Sequence, residues 1–134
     1  MTSATPQTSL RVQLRLKDMD RLGHLNHTCY HDFFLEARAA LMEPIRTYNE
    51  RFVVARVEAE FLHEVRLADD YVDVTASPIE LGNKSVKLEQ ELRLPNGTLA
   101  ARGLVVLVAW DVAARHSRAL SSRERAALSA AASA

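Results

Sequence analysis

Apolar and polar residues alternate without a break from Leu10 to Leu16, the period-two signature of a strand with one buried face. The pattern changes after a loop, Lys17 to Leu25, that holds Asp18, Asp20, Gly23 and His24. Asn26 is suited to cap a helix there, because its side-chain oxygen accepts from the orphan amides of a first turn. From Cys29 to Met42 there is no Gly or Pro, and ten of the fourteen residues are apolar. That spacing predicts a helix with a wider apolar face than a surface helix needs. Pro44 ends it.

Four further strands are predicted, with no second long helix. Ala55, Val57, Ala59 and Phe61 alternate with Arg56, Glu58 and Glu60. Val72, Val74 and Ala76 alternate with Asp73, Thr75 and Ser77. Val86, Leu88, Leu92 and Leu94 oppose Lys87, Glu89, Glu91 and Arg93. Pro95-Asn96-Gly97 signals a hairpin turn into a last strand, Thr98 to about Trp110. Beyond Gly103 that strand is apolar on both faces, so it is either central in a sheet or at a subunit contact. Residues 1–9 read as a loose polar arm, 10–112 as a single domain and 113–134 as an Ala- and Ser-rich tail. A capping-box pattern, Ser121 to Glu124, opens a short helix in that tail.

The expected order is therefore β-α-β-β-β-β. A helix from Asn26 to Met42 is about 25 Å long at ~1.5 Å per residue, and a strand of seven or eight residues spans about as much. One helix can thus lie along one antiparallel sheet, an α+β arrangement found in both the hotdog and the cystatin-like folds. Periodicity alone does not choose between them. A single helix leaves one sheet face open and keeps more apolar surface of its own than one sheet covers, so self-association is expected.

Composition narrows the function classes. The chain has 134 residues, enough for one domain, and its 17 basic residues balance 17 acidic ones. Without a basic surplus, neither nucleic acid nor an anionic membrane is an expected partner. The single cysteine, Cys29, forms no internal disulfide. The first ten residues lack the basic and apolar regions of a signal peptide. The longest apolar run, Leu104 to Trp110, falls far short of the ~20 residues of a spanning helix. A reducing, cytoplasmic location is the expectation.

Asp18-Met-Asp20-Arg-Leu-Gly23-His24-Leu-Asn26-His-Thr-Cys-Tyr30, continued by Glu36-Ala-Arg38, resembles the loop and helix start of the hotdog thioesterases of the 4-hydroxybenzoyl-CoA thioesterase superfamily. The pattern there is D-x-D-x-x-G-[HVI]-x-[NH]-x-x-x-Y, commonly followed by E-x-R. The segments 55–61, 67–70, 81–85 and 101–108 resemble the family's strands, so the likeness covers about residues 9 to 112. It implies a hotdog fold, one long central helix wrapped by a five-stranded antiparallel sheet. It also implies an acyl-CoA thioester hydrolase, working as a homodimer or homotetramer. No cofactor is implied, since coenzyme A is part of the substrate. An acyl-carrier-protein thioesterase and a non-catalytic acyl-CoA binder are the alternatives.

The loop's chemistry suits that implication. Thioester hydrolysis needs a group that activates water or attacks the carbonyl, and donors for the developing oxyanion. A carboxylate just before a helix N-terminus offers both, because the first-turn amides near Asn26 to Tyr30 carry partial positive charge. By the resemblance Asp20 is the catalytic acid, general base or nucleophile, and Asp18 orients the loop. The alternative for Asp20 is a turn residue bonded to nearby amides. Gly23 lets substrate approach the backbone. His24 orients substrate or water, or else is a histidine satisfied by a loop carbonyl. His27 and Tyr30 complete the supporting set, with Glu36 as a support of the helix. Lys84 and Ser85, at a turn into a strand, correspond to a basic residue and a serine that contact CoA across the dimer in relatives; a solvated turn lysine is the alternative. Arg102 is a weaker basic candidate. His27 and His31 share a helix face, but the glutamate of H-E-x-x-H is missing, and no metal site is expected. Cys29 on an apolar helix is a small core residue. Phe33, Phe34 and Phe61 are core or acyl-pocket residues.

Overall fold

The computed structural model describes residues 8–132; most of the N-terminal arm expected at 1–9 lies outside them. Strand β1 (Thr8–Gln13) is followed by helix α1 (His27–Met42), then by strands β2 (Glu50–Phe61), β3 (Tyr71–Leu81), β4 (Ser85–Arg93), β5 (Leu99–Asp111) and the two-residue β6 (His116–Ser117). Helix α2 (Ser122–Ala132) ends the described chain. All pairings are antiparallel, in the order β1-β3-β4-β5-β2, with β6 on β5. A curled antiparallel sheet carrying a helix along one face is the hotdog arrangement. No described helix is long and apolar enough to cross a membrane.

The period-two faces fall where the sequence places them. Val72, Val74 and Ala76 of β3 and Val86, Leu88 and Leu92 of β4 are buried against Tyr30, Phe33, Phe34 and Ala37 of α1. Gly103 of β5 has no side chain because Phe34 rests there: a Cβ would meet the ring at 3.2 Å. Gln90, on the same inner face, donates to the Phe34 carbonyl at 2.7 Å and clamps the sheet to the middle of α1. β5 lies between β4 and β2, which makes it a central strand of the sheet.

Three details differ from the pattern. Leu16 is 76% exposed, because β1 stops at Gln13 and the chain turns through a 3-10 turn at Leu16–Asp18. β2 is longer than its alternating stretch and has a bulge between Val54 and Arg56. It is also an edge strand, and Val53, Val54, Val57 and Phe61 are exposed on it. Finally, α2 is part of the core, since its Leu128 is buried there.

The tail folds inward because its polar start is fully paired. Ser121 Oγ accepts from the Glu124 amide at 3.1 Å, and Glu124 Oε1 accepts from the Ser121 amide at 2.9 Å, a reciprocal capping box. Arg118 grips both Glu124 oxygens at 2.7 and 2.8 Å, so a carboxylate with no exposed surface is matched by a guanidinium.

Candidate active site

The loop between β1 and α1 is tied down at both ends. Asp18 is buried and takes the Arg15 amide at 3.2 Å and its guanidinium at 3.1 and 3.2 Å. Its carbonyl accepts from the Asn26 amide at 2.9 Å. Asn26 then caps α1, with Oδ1 accepting from the Thr28 amide at 3.1 Å. Between these anchors Gly23 adopts φ +80°, a left-handed conformation that strains other residues. No atom lies within 4 Å of where its Cβ would be, so backbone geometry alone asks for glycine.

That turn wraps the backbone around Asp20. Asp20 Oδ1 accepts from the Leu22 and His24 amides at 2.9 and 3.0 Å. The His24 amide foremost, with that of Leu22, holds the exposed Asp20 carboxyl below the usual carboxylate range. Oδ2 has no protein partner among the described residues. Among the first-turn amides of α1, that of Thr28 is taken by the Asn26 side chain and that of Cys29 by the Asn26 carbonyl. The His27 amide has no protein acceptor among the described residues and remains a free donor at the positive end of the helix.

Asp20, His24, His27 and Tyr30 line one open cleft of about 470 Å³, joined by Phe61, Leu62, His63 and Glu64 from the end of β2 and the segment after it. Four of the sequence-derived residues thus come together. Gly23 and Asn26 shape the loop and cap the helix rather than line the cleft. Tyr30 is 4% exposed and packs edge-on to Phe61 at 4.9 Å. Burial raises the Tyr30 hydroxyl pKa, which keeps it protonated, and it has no protein partner among the described residues. His27 and His31 flank the Phe61 ring edge-on at 6.5 and 6.4 Å. Phe61 therefore belongs to the cleft, whereas Phe33 and Phe34 are core. Cys29 is half-buried, its thiol pushed up by burial, with Sγ 3.7 Å from the Asp18 carbonyl.

His63 and Glu64 were not legible as site residues. They lie far along the chain in a segment without a motif, and only the bridges between His24 and Arg66 and from the Leu25 amide to the Val65 carbonyl (2.7 Å) bring them to the loop. Glu64 is 3.0 Å from His24 Nε2 and 2.7 Å from Arg66 Nε. Lys84 and Ser85 lie elsewhere within one chain. Ser85 pairs with Val108 while Phe61 pairs with Ala101, so seven residues of β5 separate them, about 23 Å.

Residues 14–131 match the family model of the thioesterase-like superfamily. The chain belongs to that superfamily. A thioesterase from Thermus thermophilus, solved with coenzyme A and Zn, is 30% identical with a TM-score of 0.84, over 93% of each chain. YbaW from Escherichia coli, described as a probable thioesterase, is 26% identical with a TM-score of 0.80, over 90% of this chain and 96% of its own. SAV2348 from Staphylococcus aureus, solved in complex with CoA, shares the fold at 15% identity, with a TM-score of 0.85 over 98% of this chain and 88% of its own. No curated protein sequence matches the chain. Membership of the thioesterase-like superfamily covers the loop, both helices and every strand from β2 onward.

Proposed function

We propose that this superfamily member hydrolyses the thioester bond of an acyl-CoA, releasing the free acid and CoA, with Asp20 as the working carboxylate. The observation that carries the reading is one carboxylate in two states of engagement. Oδ1 is fixed by two amides and Oδ2 is unengaged, in a cleft that is also lined by His27, whose amide has no protein acceptor among the described residues. As general base, Asp20 takes a proton from water whose oxygen adds to the acyl carbon. As nucleophile, it adds there itself, and water cleaves the anhydride that is left once the C–S bond has broken. In both routes the carbonyl oxygen gains charge beside the His27 amide. The C–S bond then breaks, and the sulfur leaves as the thiolate of CoA and takes up a proton.

The supporting test is CoA release from short, long and aromatic acyl-CoAs, followed with a thiol-reactive dye. Asp20→Asn, nearly isosteric, is expected to lower kcat by about 10²- to 10⁴-fold in protein that stays folded. Unchanged turnover in Asp20→Asn would remove the carboxylate from the mechanism. Turnover only on acyl carrier protein, or binding without hydrolysis, would move the protein to the alternative classes.

A second copy of the chain completes the molecule in this reading. β2 is a 12-residue edge strand with free hydrogen-bonding groups and exposed Val53, Val54, Val57 and Phe61, which isolated proteins avoid. Leu35 of α1, alongside it, is 50% exposed. Antiparallel self-pairing centred on Val57 sets Arg56 of each strand opposite Glu58 of the partner subunit, so the edge is complementary to itself. It also sets Phe61 opposite the partner's Val53. The partner's Lys84 and the partner's Ser85, at that end of its sheet, thereby approach the cleft, where Lys84 suits a CoA phosphate.

A further inference from the structure

The turn between β3 and β4 is held from outside at each carbonyl from Gly82 to Lys84. Arg125 of α2 donates from Nη2 to the Gly82 carbonyl at 3.0 Å and to the Asn83 carbonyl at 3.4 Å. The Leu120 amide donates to the same Asn83 carbonyl at 3.0 Å, and the Ala109 amide to the Lys84 carbonyl at 2.8 Å. Within the turn, the Gly82 amide donates to the Ser85 carbonyl at 2.8 Å, and a Cβ on Gly82 would lie 2.7 Å from Ser85 Oγ. Asn83 and Lys84 are exposed, and water could satisfy such carbonyls. Instead the C-terminal tail fixes the shape of the turn.

The charge at this turn is one-sided. Arg125 spends its donors on carbonyls, and the Lys84 ammonium has the Ser117 hydroxyl at 3.5 Å. Glu124 is committed to Arg118 and Glu50 to Arg123. Neither Lys84 nor Arg125 forms an ion pair among the described residues. Resting on the reading that the partner's Lys84 meets a CoA phosphate, we propose that Arg125 is a positioning residue for CoA. From α2 it holds the Gly82–Lys84 backbone in the shape that presents the ammonium, so the tail of the chain sets the affinity for the coenzyme and leaves the acyl chemistry to the cleft.

Arg125→Met tests this, because methionine keeps an apolar stem on α2 but donates nothing to the turn. Calorimetric titration with CoA is expected to show affinity lowered about ten-fold, against about ten- to hundred-fold for Lys84→Ala, which removes the charged contact itself. Arg125→Lys, which keeps a donor for the Gly82 carbonyl, is expected to restore most of the loss. The double variant Arg125→Met, Lys84→Ala should bind no more weakly than Lys84→Ala alone. In turnover, KM for an acyl-CoA should rise in Arg125→Met with kcat little changed, and KM for the same acyl group on pantetheine, which has no phosphate, should not move. Wild-type CoA affinity in Arg125→Met beside a weakened Lys84→Ala overturns the inference and leaves the Lys84 reading in place. A loss in the double variant that adds to that of Lys84→Ala overturns it too, as does an equal rise in both KM values. Unchanged affinity in Lys84→Ala removes the contact on which the inference rests. If the wild type hydrolyses no thioester while CoA binding follows the expected pattern, the hydrolase reading fails and the role of Arg125 stands.

Discussion

Asp20 is anchored by the same amides that tune it, and this ties its protonation to the shape of the loop. Its pKa is lowered in the folded state, so its contribution to stability is complete above the unfolded carboxylate value and is lost as pH falls through the folded one. Hydrolysis that depends on the ionised form should accordingly stay flat through the ordinary carboxylate range and fall only below it. A rate-pH series on the best acyl-CoA checks this; an acid limb near neutrality would assign that limb to another group. Gly23→Ala probes the same link from the backbone. With nothing near the added Cβ, its cost is the left-handed φ alone, about 1–2 kcal/mol in urea denaturation, and turnover should fall with it as the amides swing away from Asp20. The D-x-D-x-x-G pattern made these residues legible, since turn chemistry is local. Glu64 was not, because nothing in Leu62 to Leu67 marks it until the loop docks there.

At the level of elements, both helices announce their starts. Asn26 and the Ser121–Glu124 box are side-chain caps within four residues of the amides they serve, which is why a linear reading finds them. The consequence for α2 was not visible in the same way. Arg118 and Glu124 are paired across the start of α2, and Leu128 behind them has no exposed surface. Burial pushes the Glu124 carboxyl up, but Arg118 and Ser121 outweigh it and hold the group below the usual carboxylate range. Glu124→Ala would leave Arg118 without its counter-charge, with an expected loss of about 3–5 kcal/mol in urea denaturation. A loss under ~1 kcal/mol would show that α2 is dispensable to the core. For the wild type, the depressed Glu124 pKa adds stability above the ordinary carboxylate range that disappears as pH drops below it.

For the whole molecule, the unfinished surface is the β2 edge beside α1. Alternating Val, Arg and Glu residues there read as an ordinary half-buried strand, yet every residue from Val53 to Glu58 is exposed in the single chain. The proposed self-pairing would cover that edge without new chemistry. Val57→Lys, at the proposed axis, brings two like charges together and should yield a folded monomer in light scattering, with CoA affinity reduced because the partner's Lys84 is withdrawn. A Val57→Lys protein that remains dimeric would place the interface elsewhere.

The sequence by itself determined what local physics can encode: strand periodicity, the apolar helix, its caps, the Pro95–Gly97 turn and the carboxylate loop with its glycine. Each depends on residues only a few positions apart. Tertiary structure decided which strand is the edge, that Gln90 reaches the Phe34 carbonyl, that the tail closes the core, and that Glu64 stands against His24. Those outcomes depend on contacts between residues far apart in the chain, and a side chain's spacing along the sequence carries no information about what folds against it.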